Sequence, residues 1–465
     1  MPAPHHLCTL LATVGLLSVS GLDLAAQAAP PAAGVAEPLT LRRRVQWGAA
    51  LRPAGGDSGI IVLRVTPGSP AARAGLRDGD RVTTLNTTAL DGADAFWPAY
   101  RKVRAGDTVR VRVLRSGATG AGDTLDLQFA PDSVAHERFP GVTVSYQAIR
   151  SDRGYRLRTV VTRPSSAGGK RLPAVLFVPW LSCDPVEKPD PRGDGFQFLL
   201  HDVAKHSGML FLRVEKPGLG DSEGPDCRHG GLTDELAAYR SALRALRARQ
   251  DVDTTRLFFI GGSIGGALAP LLAAEDPRGI VGVIAVGGFT RTWYEHMLDI
   301  ERRRLTLAGQ SPAAVNAAMR GLARFYTEYL VGRHTPREVL ETHPELAPLW
   351  SDDPAHQYGR PAHYYQDVQQ LDIEGAWERV ATHGIPSLVV WGEYDWIMGR
   401  AEPDRAMQIL RARGARDATL AVLPKTDHGL FVYSSAVAAF GDSGGRYDGR
   451  PGQVVNDWLR RRATR

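Results

Sequence analysis

The stretch that decides the fold is Gly261-Gly262-Ser263-Ile264-Gly265-Gly266. The apolar run Arg256-Leu257-Phe258-Phe259-Ile260 precedes it and predicts a buried β-strand, and the small-residue run at 267–274 predicts a helix after it. A serine on a sharp turn from strand to helix has its hydroxyl lifted out of the sheet. Glycines on both sides leave room for the neighbouring backbone. The stretch therefore predicts a serine nucleophile and indicates a serine hydrolase.

The pattern G-x-S-x-G occurs at two further places. Gly220-Asp221-Ser222-Glu223-Gly224 is followed by Pro225 and predicts a loop. Gly441-Asp442-Ser443-Gly444-Gly445 resembles the active-serine sequence of chymotrypsin-like proteases. That fold is all-β, and its His and Asp precede the serine. Because strands and helices alternate around Ser443, the context selects Ser263.

Length and charge restrict the class of protein. A chain of 465 residues with 43% hydrophobic residues predicts two or three globular domains. The net charge is only +6, and the arginine runs at 42–44, 302–304 and 460–462 are short. We interpret these runs as solvated faces of helices or strands. No nucleic-acid partner is therefore expected.

The N-terminus predicts export. Residues 7–22 are largely apolar but short for a membrane span, and Ala26-Gln27-Ala28 provides an A-x-A cleavage site. We expect a signal peptide at 1–28 and a secreted or periplasmic protein. The first seven residues contain no Lys or Arg, so an uncleaved or mis-started tail is the alternative. No other stretch predicts stable membrane insertion.

The cysteines agree with an oxidising compartment. Cys8 lies in the predicted signal, which leaves Cys183 and Cys227. An even number of cysteines in an exported protein favours a disulfide, with two free thiols as the alternative. Two isolated cysteines without C-x-x-C spacing do not predict a metal site. We expect neither a metal nor an organic cofactor.

Residues 40–130 predict a small β-rich module. The run Gly68-Ser69-Pro70-Ala71, with Ala74-Gly75-Leu76 and Gly79-Asp80, resembles the S-P-A-x-x-A-G-L-x-x-G-D pattern of bacterial-type PDZ domains. The resemblance implies a site that binds protein C-termini by adding a strand to the sheet. By position, Trp47, Gly48 and Ala49 form its carboxylate-binding loop. Trp47 stands where a smaller apolar residue is usual, and a rigid spacer without a ligand is the alternative.

After a linker at 131–140, residues 141–465 alternate strands with helices. This alternation predicts an α/β fold with a mostly parallel sheet. The alternation is interrupted at about 290–383 by helical, aromatic-rich sequence, which predicts a cap over the site. Six cap residues could shape a pocket or could simply pack the cap: Arg291, Trp293, Tyr294, His296, Tyr364 and Tyr365.

Ser263 needs a base and an orienting acid, and both follow it in the sequence. Asp395 lies at the end of a predicted strand, and His428 follows the next strand. The turns Gly392-Glu393-Tyr394-Asp395 and Asp427-His428-Gly429 resemble those of the α/β-hydrolase family, and the resemblance covers 141–465. It implies that His428 is the general base and that Asp395 orients it. Glu393 is the alternative acid.

The oxyanion hole needs two N–H donors. Ile264, directly after the nucleophile, should provide one. The other should come from the loop after the strand at 172–178, where Pro179 has no N–H, so Trp180 or Leu181 must donate. A Cys183–Cys227 disulfide would fix this loop to the Gly220–Gly224 region. Four further histidines have no catalytic context and are expected at the surface: His201, His206, His363 and His383.

These observations predict an exported serine hydrolase that cleaves an ester, thioester or peptide bond. A carboxylic ester is favoured because a generic cap suits small acyl groups. A serine peptidase is the second reading, since a PDZ-like module could bring protein substrates to the site. A non-catalytic PDZ adaptor with an inactive hydrolase scaffold is the third.

Overall fold

The computed structural model describes residues 40–54, 59–116, 122–190 and 194–463. The predicted signal peptide at 1–28 lies outside these residues. Leu39–Arg465 form one compact unit. Within the described ranges, no helix combines the length and hydropathy that a membrane crossing requires.

The N-terminal module is a twisted sheet with two helices. Its strands run in the order β2-β3-β4-β6-β7, with β5 paired to β4, and β2 forms one edge. The elements are β1 (Val45–Gln46), β2 (Ala49–Pro53), β3 (Ile60–Val65), α1 (Pro70–Arg73), β4 (Arg81–Leu85), β5 (Thr88–Ala89), α2 (Ala93–Lys102), β6 (Val109–Arg115), β7 (Asp123–Phe129) and β8 (Asp132–Ser133). The run 109–113 alternates buried and exposed residues, as a strand with one face on a core does.

The C-terminal domain is built on an eight-stranded sheet in the order β9-β10-β12-β11-β13-β14-β17-β18. The pairs β9–β10 and β10–β12 are antiparallel. Every pair from β12–β11 to β17–β18 is parallel. The sheet elements are β9 (Val142–Arg150), β10 (Arg156–Pro164), β11 (Leu172–Val178), α3 (Gly195–His206), β12 (Leu210–Val214), α4 (Leu232–Arg247), β13 (Val252–Gly262), α5 (Ile264–Glu275) and β14 (Ile280–Val286). A mostly parallel sheet was the prediction, and it is confirmed.

The cap lies between β14 and the last two parallel strands. It comprises α6 (Trp293–Leu307), α7 (Pro312–Tyr326), α8 (Pro336–Thr342), the hairpin β15 (His356–Gln357) and β16 (Arg360–Pro361), and α9 (Ala362–Val368). The chain then continues through α10 (Ile373–Thr382), β17 (Ser387–Gly392), α11 (Ala401–Ala412), β18 (Ala418–Leu423), α12 (Ala436–Phe440) and α13 (Arg450–Ala463). Helix α10 lies inside the interval predicted as cap, yet it packs on α5 and α11 beside the sheet.

Burial explains why these residues form the central elements. The last six residues of β13 are all buried, as expected for an inner strand covered on both faces. Helix α5 is buried along nearly its whole length, which its small side chains permit. The site that follows β13 therefore lies between a buried strand end and a buried helix.

The two domains are joined by partly buried ion pairs. Arg43 contacts the carboxylates of Glu187 and Asp221, and Arg44 lies 3.2 Å from Glu187. Helix α2 adds a pair in which Arg101 lies 2.9 Å from Asp226. The prediction of a solvated face for the 42–44 run is wrong for Arg43 and Arg44, because their carboxylate partners lie more than a hundred residues away in the sequence.

Candidate active site

Ser263 stands on a strained turn between β13 and α5. Its φ of 56° lies in the left-handed region that non-glycine residues rarely adopt. A Cβ on Gly261 would stand 1.9 Å from the Gly265 carbonyl oxygen. A Cβ on Gly265 would stand 2.1 Å from the Val178 carbonyl oxygen. Only glycine fits at both positions, so the sequence G-x-S-x-G here reflects close backbone packing.

Ser263, His428 and Asp395 form one hydrogen-bonded chain. The Ser263 Oγ lies 3.0 Å from Nε2 of His428, and Nδ1 of His428 lies 2.9 Å from Oδ2 of Asp395. With its proton on Nδ1, the imidazole donates to Asp395 and leaves Nε2 as the acceptor for the serine hydroxyl. This is the arrangement that a base-activated nucleophile requires.

Asp395 is held by backbone N–H groups of the residues that follow it. Its second oxygen, Oδ1, accepts hydrogen bonds from the N–H groups of Ile397 and Met398, at 3.0 and 2.7 Å. Glu393, the alternative acid, instead accepts from the N–H of Lys425 at 2.8 Å. The structure thus brings Asp395, and not Glu393, to the histidine.

The charge of the imidazole is tuned by two opposing effects. Burial disfavours the charged ring, but the adjacent Asp395 carboxylate outweighs it, so the pKa of His428 is raised above its ordinary value. Asp427 accepts from the Phe431 N–H at 2.8 Å, and burial raises its pKa to about 6. Asp395 is therefore the carboxylate in hydrogen-bond contact with the ring.

The candidate oxyanion donors surround the serine. Ile264 is the first residue of α5, and N–H groups in the first turn of a helix have no acceptor inside the helix. Trp180 and Leu181 line the same cavity as Ser263 and His428. Cys183 and Cys227 are joined by a disulfide with Cα atoms 5.7 Å apart, so the loop that carries Trp180 and Leu181 is bonded to the loop after β12.

The active-site cavity has a volume of about 260 Å³. Trp180, Phe196 and Tyr358 contribute aromatic side chains to its wall. Tyr358 belongs to the turn of the β15–β16 hairpin and was not anticipated from the sequence, since nothing in its neighbourhood distinguishes it from other cap aromatics. Sequence reasoning could have found it only by locating a hairpin within a helical cap.

The six cap residues singled out from the sequence do not line this cavity. Tyr364 and Tyr365 are fully buried, and burial lowers the pKa of His296 to about 3. Arg291 contacts Asp299 and lies 2.8 Å from Glu402. Of the two interpretations, packing of the cap is the one that the structure supports.

His201 departs from its predicted place at the surface. It is buried on α3, and its Nε2 lies 3.0 Å from the carbonyl oxygen of Lys188. A single histidine on a helix carries no signal that tells a buried backbone contact from exposure. Among the described residues, no group of three or more His, Cys, Asp or Glu side chains could hold a metal ion.

The predicted carboxylate-binding loop has a core residue at its centre. Trp47 is buried and packs against Phe96, Tyr100 and Phe129, with ring centroids 6.0, 5.2 and 5.5 Å away. A larger side chain than usual is accommodated because it fills the core and not a groove. Gly48 and Ala49 continue from it into the edge strand β2.

A family model described as "Serine aminopeptidase, S33" matches residues 196–433, more than half of the chain. The chain belongs to this family. It is an α/β-hydrolase, and a PDZ-domain model matches residues 44–126. The preceding expectations of an α/β-hydrolase fold and a PDZ domain are confirmed.

Individual relatives match smaller parts of the sequence. Protein Scribble homolog let-413 of Caenorhabditis elegans is 37% identical over 71 residues, which are 15% of this chain and 10% of that protein. Serine protease Do-like HtrA of Lactococcus lactis is 34% identical over 71 residues, or 15% of this chain and 17% of that protein. The matches thus span well under two thirds of either relative.

Solved structures are similar to about two thirds of this chain at low sequence identity. Est1E of Butyrivibrio proteoclasticus with bound ferulic acid has a TM-score of 0.42 and 16% identity over 68% of this chain and 96% of that chain. The esterase domain of a Rhodothermus marinus protein has a TM-score of 0.40 and 18% identity over 69% of this chain and 99% of that chain.

Proposed function

We propose that this α/β-hydrolase is an exported carboxylic ester hydrolase that works through an acyl-enzyme on Ser263. The observation that carries the proposal is the hydrogen-bonded chain from Ser263 through His428 to Asp395, whose first two members line a cavity. Its three members come from the ends of different sheet strands, as the reaction requires of groups that must be held rigidly.

In acylation, the Ser263 Oγ attacks the carbonyl carbon of the ester as Nε2 of His428 takes its proton. Asp395 stabilises the imidazolium that forms. The negative charge on the carbonyl oxygen is stabilised by the N–H of Ile264 and by one N–H from the Trp180–Leu181 loop. The C–O bond then breaks, and His428 returns the proton to the departing alcohol.

Deacylation repeats these steps with water. His428 takes a proton from water as the oxygen attacks the acyl carbon, and Ser263 leaves with that proton restored. The products are the carboxylic acid and a regenerated hydroxyl. Acylation and deacylation together balance without any further proton donor or acceptor.

The size of the cavity favours an ester over a peptide. A volume of about 260 Å³ with three aromatic side chains in the wall suits a small acyl group. Peptidase activity is the second candidate, favoured by the PDZ domain and by the family description. The intact hydrogen-bonded chain argues against an inactive adaptor, because an inactive scaffold does not need a serine, a histidine and an aspartate in hydrogen-bond contact.

Labelling with a fluorophosphonate tests the nucleophile, and Ser443 offers a matched control. Ser443 carries the same G-x-S-x-G pattern but is exposed in a loop after α12. Ser263→Ala should abolish labelling and p-nitrophenyl acetate hydrolysis, whereas Ser443→Ala should keep both. Equal labelling of Ser263→Ala and the parent would reject the proposal.

We also propose that the PDZ domain binds protein C-termini along β2, with the carboxylate at Trp47, Gly48 and Ala49. Edge strand β2 can accept an added strand through its free backbone groups. Ala49→Asp places a repelling carboxylate at the proposed site, and Ala49→Asn is its uncharged isostere. C-terminal peptides should bind the parent and Ala49→Asn but not Ala49→Asp. Binding that is equal in all three, or absent from the parent, would leave the domain as a spacer.

Export is part of the same proposal. A disulfide persists in oxidising compartments and is rare in a reducing cytosol. Together with the apolar N-terminal segment and its A-x-A site, it supports secretion or a periplasmic location. N-terminal sequencing of the protein recovered from outside the cytoplasm should give a chain that begins near Ala29. A product that retains Met1 would contradict this expectation.

A further inference from the structure

Lys216 is a buried cation that the proposed chemistry does not use. It follows β12, and its side chain is 1% exposed. Burying an ammonium is costly unless its N–H donors are satisfied. Its Nζ donates to the carbonyl oxygens of Leu181 and Ser182, each at 3.1 Å, and also to that of Trp180. All three acceptors lie in the loop that carries the candidate oxyanion donors.

This attachment determines which way the loop's N–H groups point. In a planar trans peptide the N–H is directed opposite to the C=O. Because the Trp180 carbonyl is turned toward Lys216, the N–H of Leu181 must point away from it. Leu181 lines the cavity that contains Ser263. The preceding carbonyl, that of Pro179, is not held by Lys216 and lies instead against Gly265.

We infer that Lys216 is a positioning residue, which holds the oxyanion loop so that the Leu181 N–H faces the developing negative charge. The inference rests on the proposed serine chemistry and extends it. It selects Leu181 over Trp180 as the second donor. Lys216 touches no substrate atom and acts only through the loop.

A row of buried charges connects the same loop to the cap. Glu235 on α4 lies 3.6 Å from the Lys216 Nζ and also pairs with Arg360 of strand β16. Arg360 donates to the carbonyl oxygen of Cys227 at 2.9 Å. Tyr358, two residues before Arg360, lines the active-site cavity. The row therefore sets the cap hairpin and the oxyanion loop in a fixed relation to each other.

The environment of Lys216 makes this support sensitive to pH. Burial lowers the pKa of Lys216 to about 8, against the attraction of Glu235, while Arg360 adds to the lowering and Asp184 opposes it. A neutral amine has two N–H donors for three carbonyls. Glu215, the preceding residue, faces the N–H groups of Val186 and Glu187, and burial raises its pKa to about 7. The loop should therefore loosen as the pH rises through about 8.

The test compares the parent with Lys216→Arg, Lys216→Met and the control Lys205→Met. Lys205 lies on α3 with a partly exposed side chain. For p-nitrophenyl acetate, Lys216→Met should lower kcat by about 100-fold with little change in KM, because a misdirected donor acts on the transition state. The parent should lose kcat above about pH 8, whereas Lys216→Arg should keep it, since arginine stays charged. Lys205→Met should match the parent.

Each outcome decides a different question. Parental kcat in Lys216→Met, or an alkaline loss at the same pH in the parent and in Lys216→Arg, would overturn the positioning role. If Lys216→Met has lost its near-ultraviolet circular dichroism, that variant is misfolded. The positioning role is then decided by the pH profiles of the parent and Lys216→Arg. A parent that neither hydrolyses the ester nor labels at Ser263 would overturn the serine chemistry itself and this inference with it.

Discussion

Removal of the Cys183–Cys227 disulfide should destabilise the protein by an amount that the sequence separation sets. The two cysteines are 44 residues apart. In the loop-closure model a cross-link of that span stabilises the folded state by about 4 kcal/mol at 25 °C. Cys227 is buried, and its change to alanine removes one sulfur atom, which leaves a small additional void. The double variant Cys183→Ala/Cys227→Ala should therefore lose about 4 kcal/mol of unfolding free energy.

Calorimetry can measure this loss. A unit the length of Leu39–Arg465 has an unfolding entropy near 0.9 kcal/mol/K, so about 4 kcal/mol corresponds to a fall in Tm of about 4–5 °C. The reduced parent should have the same Tm as the double variant, and reductant should not change the Tm of the double variant. A double variant within about 1 °C of the oxidised parent would refute the loop-closure argument.

The same variant separates the disulfide from Lys216 as anchors of the oxyanion loop. Lys216 binds the carbonyls of Trp180, Leu181 and Ser182, and Cys183 follows directly. If Lys216 sets the N–H direction, the double variant should keep kcat within about tenfold of the parent. A fall as deep as that of Lys216→Met would assign the anchoring to the disulfide.

Three further changes probe the site. The kcat/KM should rise with pH through a midpoint above the ordinary pKa of histidine, since the pKa of His428 is raised. Asp395→Asn should move that midpoint down and cut kcat by about 10⁴-fold. Gly265→Ala should lower kcat at least about tenfold, because its Cβ would stand 2.1 Å from a carbonyl oxygen of β11. The control Gly169→Ala should be neutral, because its Cβ would meet no atom within 4 Å. Tyr358→Ala should enlarge the cavity. The ratio of kcat/KM for p-nitrophenyl octanoate to that for the acetate should therefore rise by about tenfold.

The sequence predicted the elements that carry Ser263, Asp395 and His428 because local patterns specify them. A buried strand, a glycine turn and a small-residue helix are neighbours in the chain, so their order can be read directly. The acid and the histidine follow consecutive strands, and parallel strands bring their carboxyl ends to one edge of the sheet. Their roles remain proposals, but their proximity needed no long-range information beyond strand order.

Other features depend on pairs that no local pattern connects. Lys216, Glu235 and Arg360 come from a loop, a helix and the cap, and each alone looks like an ordinary surface charge. The same holds for Arg43 and its partner Glu187, which lie 144 residues apart. Tertiary partners decide whether a charge is buried, which is why the sequence alone assigned the 42–44 run to solvent.

The ion pairs between the domains also determine how PDZ function can be tested. Glu187 is buried, and Arg43 and Arg44 of the PDZ-side segment are its arginine partners. A chain that begins near Pro140 would remove both of these cations from Glu187. Glu187 lies four residues from Cys183, in the segment that continues the oxyanion loop. Truncation would therefore disturb the hydrolase site even if no peptide ever binds, and only a substitution confined to the peptide loop, such as Ala49→Asp, can isolate substrate delivery.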